Sequence, residues 1–221
     1  TYGPQLIGSY GRAMLIYYPV CFLYFFIAFI AYSYWAGNGM IGVKAFFGNV
    51  FTPAVTSLAT CSSLATLPVN LVATEKMGVK KDIREIVLPL GATMHMDGTC
   101  LSSILKISFL FGIFGQSFSG FGTYFTAVLI SILAGVVMSG VPGGGLIGEM
   151  LICNIYGFPP EAFPIIAAIG FLVDPPATMV NSTGDAVASM MVTRLIEGKD
   201  WLKNKLANEK AEAEAEAETS L

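Results

Sequence analysis

Charge is what this sequence has little of. Of its 221 residues only 12% are Asp, Glu, Lys or Arg, against roughly 25% in an ordinary soluble domain. The stretches 13–43, 45–74 and 107–148 carry none at all. Each exceeds the roughly 20 apolar residues that span a bilayer, and 54% of the chain is hydrophobic. These features exclude a soluble domain with one large core and predict an all-α integral membrane protein whose first partner is the lipid bilayer. No basic run is long enough to argue for nucleic acid, and no such partner is expected. The four cysteines, Cys21, Cys61, Cys100 and Cys153, are widely spaced in apolar surroundings and form no CxxC pair. That favours buried free thiols over a disulfide or a metal site. The net charge of −3 is dominated by the acidic run after Asn208, a solvated tail to which no function is assigned.

What is present is polarity in costly places. Asp97 sits in Met94-His95-Met96-Asp97-Gly98-Thr99, inside a long apolar segment. A second interruption runs from Asp174-Pro175-Pro176 to Thr183-Gly184-Asp185. An ionisable side chain at membrane depth usually faces a cavity and binds an ion, a substrate or a partner. Two such interruptions predict a membrane transporter with its site at mid-depth.

The chain reads as one membrane unit over 1–205 and a charged cytoplasmic tail over 206–221. A spanning helix is expected over 11–36, ending in the interfacial aromatics Tyr32, Tyr34 and Trp35. Residues 45–74 centre on a hydroxyl-rich stretch from Thr56 to Thr66 and then Pro68. That fits a re-entrant hairpin, whose unwound backbone must be buried in protein or line a cavity; an ordinary helix kinked at the proline is the alternative. A span broken at Asp97-Gly98 is expected over 86–112. Another hairpin is expected over 121–157, with Ser139-Gly140-Val141-Pro142-Gly143-Gly144-Gly145 as a tip no helix would tolerate. The last span, 162–197, is expected to break at Asp174–Asp185.

Basic residues cluster at Lys76, Lys80, Lys81 and Arg84, and again at Arg194, Lys199, Lys203 and Lys205, whereas 37–43, 113–122 and 154–161 have none. The positive-inside tendency places both clusters, and the C-terminus, in the cytoplasm. That is consistent only if 45–74 and 121–157 each return to the side they left. The order is then hairpin, broken helix, hairpin, broken helix, two repeats of inverted topology whose site residues meet near the bilayer midplane.

Four motifs in this order carry a resemblance: Cys61-Ser62-Ser63 ahead of Leu67-Pro68, Met96-Asp97-Gly98-Thr99, Gly140-Val141-Pro142-Gly143, and Thr178-Met179-Val180-Asn181 with Thr183-Gly184-Asp185. Together they resemble the dicarboxylate/amino acid:cation symporter family, the glutamate transporter homologues, over residues 11–200. The resemblance implies a homotrimer in the cell (inner) membrane, with a mobile transport domain, here 1–205, sliding against a scaffold. It also implies that this chain is the C-terminal part of a longer protein, an expectation in line with an opening at Thr1 rather than at Met.

The same resemblance implies sodium ions as the coupling ligand. One would lie on the Asp185 carboxylate with carbonyls of Gly91, His95 and Asn181. A second would use carbonyls of Thr93, Gly135, Val136 and Met138 near the Met96 sulfur, and Asp97 would serve a third. For the substrate, the hairpin tips at Ser62, Ser63, Val141 and Gly145 would hold an α-carboxylate, assisted by Asn181, where half-helix N-termini favour an anion. Asp174 would accept the α-amino group beside Thr178, and Thr99 would bond the side chain. Acidic-substrate members place an arginine at one of two positions, here Cys61 and Ala177. Without a guanidinium, an acidic side chain would be desolvated unpaired at a cost of several kcal/mol. A small neutral amino acid is therefore expected, imported by sodium-coupled symport. The alternative is an acidic amino acid or dicarboxylate symporter of the same family, coupled to sodium or protons.

His95, the single histidine, stands where the family has asparagine. It either replaces the amide as a ligand or titrates near neutral pH and couples proton movement. Lys106 and Glu149 are isolated charges at membrane depth, each expensive alone; they are expected to pair, unless Lys106 snorkels to the interface. An intramembrane aspartyl protease on Asp97 and Asp185 and a channel with re-entrant filters are the rival classes.

Overall fold

In the computed structural model, which describes residues 3–138 and 144–219, every regular element among those residues is a helix. The order is α1 (Gly3–Ala36), α2 (Met40–Phe47), α3 (Phe51–Thr60), α4 (Ser63–Lys76), α5 (Lys81–Met94), α6 (Asp97–Ile113), α7 (Phe121–Val137), α8 (Gly144–Tyr156), α9 (Ala162–Glu197) and α10 (Trp201–Thr219). Three segments, Leu6–Ala36, Lys81–Ile113 and Ala162–Glu197, are long and apolar enough to cross a membrane.

Helix α1 carries its inward face at four-residue spacing, with Ala13, Tyr17, Cys21, Phe25, Phe29 and Ser33 all buried. Leu15, Leu23 and Ile27 on its other faces are exposed. A helix apolar all round, with only one stripe covered by protein, suits a lipid-facing element. The opposite case is α9, which packs against α1, α3, α4, α5, α6 and α8. Every residue from Pro176 to Val187 on it is buried, so the polar run Thr178, Asn181, Ser182, Thr183 and Asp185 lies at the centre of the bundle.

Helices α3 and α4 pack side by side, joined at Cys61-Ser62. Cys61 adopts the left-handed conformation (φ 50°) that ends α3, and the Ser62 hydroxyl caps α4 by accepting the Ala65 N–H at 3.2 Å. Helices α7 and α8 also pack together, but the expected tip at Ser139–Gly143 lies outside the described residues. The break between α5 and α6 falls at His95-Met96, both non-helical, next to the expected Asp97-Gly98.

The last span differs from expectation: α9 is helical from Ala162 to Glu197, through Pro175, Pro176 and Asp185. Two prolines remove two backbone donors and free the carbonyls four residues before them. One of those, Leu172 O, accepts the Tyr18 hydroxyl of α1 at 3.0 Å, which replaces a lost helical bond in a place without water.

The two ends of the bundle differ in chemistry. At one, Lys80 pairs with Glu197 at 2.7 Å, the Trp201 indole donates to Ala36 O at 2.8 Å, and Arg194 donates to Trp35 O. Both basic clusters thus meet at the C-terminal end of α9, where Arg194 also reaches the end of α1. At the other, Phe111, Phe114, Phe118, Tyr156 and Phe158 stack edge and face.

Candidate substrate and cation site

The N-terminus of α4, the break before α6, the start of α8 and the middle of α9 enclose a cavity of about 470 Å³. Cys61, Ser62, Ser63 and Leu64 form one wall, Met96, Thr99 and Ser102 a second, and Asp174, Ala177, Thr178 and Asn181 a third. Of the expected substrate residues, Ser62, Ser63, Thr99, Gly145, Asp174, Ala177, Thr178 and Asn181 all line it. Val141 lies outside the described residues. The Ser62 hydroxyl is committed to its cap, which leaves the first N–H groups of α4 on the cavity wall, an anion-favouring helix terminus. Across from it, Asp174 Oδ1 accepts the Thr178 hydroxyl at 3.2 Å. A donor-rich helix end facing a carboxylate complements a zwitterion.

Asn181 organises the break. Its Oδ1 accepts the N–H of Gly98 at 2.8 Å and of Thr99 at 3.3 Å, and its Nδ2 donates to Thr99 Oγ1 at 2.8 Å and to Met96 Sδ at 3.5 Å. A side chain from α9 therefore caps α6, whose own preceding residue supplies no side-chain cap. Gly98 permits this approach, because a Cβ there would overlap the Ala177 backbone. Asn181→Ala is expected to cost about 1–2 kcal/mol, the worth of a lost cap. Hydrogen exchange at the Gly98 and Thr99 amides should accelerate; unchanged protection there would show that the cap is not limiting.

Beside the cavity, His95 stands between two acids. Its Nε2 lies 3.0 Å from Asp97 Oδ2 and its Nδ1 lies 3.3 Å from Asp185 Oδ1. Asp97 Oδ2 also accepts the Tyr24 hydroxyl at 2.6 Å. Apart from that 3.3 Å approach of His95 Nδ1, the buried Asp185 Oδ1 has no hydrogen-bond partner. Gly91 leaves room for that carboxylate, since a Cβ would occupy its space. A buried carboxylate oxygen with acceptor capacity to spare suits a hard cation. Of the carbonyls expected to complete that set, those of Gly91, His95 and Asn181, Gly91 O accepts the His95 N–H at 2.8 Å. No three His, Cys, Asp or Glu side chains converge as a metal-binding group among the described residues, and an alkali ion held largely by carbonyls does not need them. In the other expected cation set, Gly135 packs against Cys100 and Met96, and Met138 lines the cavity. Thr93 turns its hydroxyl back to Leu90 O, and the Val136 side chain is 67% exposed.

Lys106 and Glu149 do pair. Lys106 Nζ lies 2.8 Å from Glu149 Oε1, with the two side chains 5% and 3% exposed. The snorkelling alternative does not hold, because Lys106 is buried. Sequence reasoning anticipated the pair but not its place: both residues line the cavity. Gly170 makes that possible, as a Cβ there would collide with the Glu149 carboxylate.

The family model for the sodium:dicarboxylate symporter family matches residues 1–195. Among similar proteins, human excitatory amino acid transporter 2 is 35% identical over 68% of this chain and 26% of its own length. An excitatory amino acid transporter of Caenorhabditis elegans is 35% identical over 66% of this chain and 29% of its own. Human neutral amino acid transporter A is 33% identical over 66% and 28%. The chain thus spans between a quarter and a third of the length of these relatives.

Proposed function

This chain belongs to the sodium:dicarboxylate symporter family, a family of transporters and not of enzymes, and on that premise we propose that it forms the transport core of a sodium-coupled symporter for a small neutral amino acid. The aspartyl protease reading falls with the premise. One observation carries the choice of substrate. Among the described residues the cation on the cavity wall is Lys106, and Glu149 matches it at 2.8 Å. Cys61 and Ala177 line the same cavity without charge. An acidic side chain would enter without a free counter-charge. The α-carboxylate is received by the N-terminus of α4 and the α-ammonium by Asp174.

The reading includes two inverted repeats of re-entrant hairpin (α3–α4, α7–α8) and spanning segment (α5–α6, α9), moving as an elevator within a homotrimer of the cell membrane. The meeting of both basic clusters at one end supports a cytoplasmic position for that end and for the C-terminus. Sodium is the coupling ion, with Asp185 as its principal ligand.

A second reading has support in the excitatory amino acid transporters among the relatives: an acidic substrate that draws Lys106 away from Glu149. The protein reconstituted in liposomes separates the two. Uptake of labelled alanine, serine or threonine that requires an inward sodium gradient is expected, with aspartate excluded. Uptake of aspartate alone would overturn the neutral reading and leave the family intact.

A further inference from the structure

We propose that the Lys106–Glu149 pair is the side-chain subsite of this cavity and that it selects a primary carboxamide, the side chain of glutamine or asparagine. The inference rests on the neutral amino acid reading above and narrows it.

The first argument is complementarity. A lysine ammonium has three donors, and the one described partner of Lys106 is Glu149 Oε1. Glu149 Oε2 is buried and has no hydrogen-bond partner. The pair has no net charge, and a small turn of the Glu149 carboxyl toward the cavity it lines presents the shielded Oε2 as an acceptor beside the spare ammonium donors. A carboxamide matches both: its carbonyl accepts from Lys106 and its NH₂ donates to Glu149 Oε2. A carboxylate side chain would meet the Glu149 charge, and an ammonium side chain would meet Lys106. An apolar side chain would leave both groups unsatisfied, which is how polar sites discriminate most strongly.

The second argument is reach. Glu149 packs against Gly170, one turn before Asp174 on α9 and so about 6 Å from it along the axis at 1.5 Å per residue. A substrate whose ammonium rests on Asp174 therefore has the pair about one helical turn away. The alanine methyl and the serine hydroxyl fall short of it, whereas a longer side chain ending in an amide reaches it.

The test is competition against sodium-dependent uptake or binding of labelled alanine by the reconstituted protein. Glutamine or asparagine is expected to displace alanine at concentrations at least about tenfold below those needed for methionine, an apolar side chain of similar length. Glutamate and lysine should not compete in that range. In the Lys106→Met/Glu149→Leu double variant the ratio of glutamine to methionine affinity should collapse to about one. If wild-type protein binds alanine, serine and methionine as well as the amides, the carboxamide inference fails while the neutral reading stands. If only acidic amino acids bind, the neutral reading itself fails. A wild-type preference for amides that persists in the folded double variant would place the subsite elsewhere and also overturn the inference.

Discussion

Asp174→Asn is expected to abolish tight binding of zwitterionic amino acids. Asp174 is the carboxylate on the α9 wall of the cavity, and its described hydrogen bond is to Thr178 on its own helix. Asparagine keeps an oxygen for that hydroxyl, so the local fold is preserved while the charge is lost. The substrate ammonium would then be desolvated with no counter-charge. Removing one partner of a buried, hydrogen-bonded charge pair costs about 2–5 kcal/mol, which corresponds to roughly 30- to several thousandfold in Kd. The measurement is equilibrium binding of labelled alanine or serine in saturating sodium, with Asp174→Glu as the charge-preserving control. Binding by Asp174→Asn within about threefold of wild type would mean that the ammonium is held elsewhere, and the orientation of the substrate would have to be reversed.

Local chemistry made much of the architecture legible. The hydroxyl-rich stretch around Cys61-Ser62 marks the turn between α3 and α4, and Asp97-Gly98 marks the break within one residue or two. Both are signals carried by neighbouring residues: a capping serine, a glycine in close contact, an acid in an apolar run. The uninterrupted α9 was not legible, because one of the two carbonyls its prolines free, Leu172 O, finds its donor in Tyr18, a hydroxyl 154 positions away in the chain. Asn181 is a similar case. The family resemblance marks it as a site residue, yet nothing local shows that its side chain is spent on capping α6. For His95 the sequence leaves two roles open, a replacement for an asparagine ligand or a proton carrier. Its contacts with both Asp97 and Asp185 depend on how α5, α6 and α9 converge, which no pattern within one helix encodes. The cost of an isolated charge at membrane depth sufficed to join Lys106 to Glu149, but their position on the cavity wall again required three helices to meet.

That pair carries the largest expected effect on stability. With both side chains at least nine-tenths buried, removing one partner leaves an uncompensated charge. Lys106→Met or Glu149→Leu alone is therefore expected to destabilise the protein by about 3–5 kcal/mol. The double variant Lys106→Met/Glu149→Leu should recover most of that loss, because well-packed apolar side chains of similar volume often match or exceed a buried ion pair in stability. Exchanging the two charges, Lys106→Glu with Glu149→Lys, should likewise be better tolerated than either reversal alone. It should not be fully neutral, since Gly170 is shaped to the Glu149 carboxylate and not to a longer ammonium side chain. Thermal unfolding midpoints of the purified protein in one detergent, compared as a double-mutant cycle, give the coupling directly. A coupling near zero, with the double variant losing the sum of the two singles, would show that the residues are held by their separate surroundings and that the 2.8 Å contact contributes nothing of its own. A large favourable coupling would establish the pair as the polar tie between α6 and α8, two helices that otherwise reach each other mainly through their shared neighbours α7 and α9.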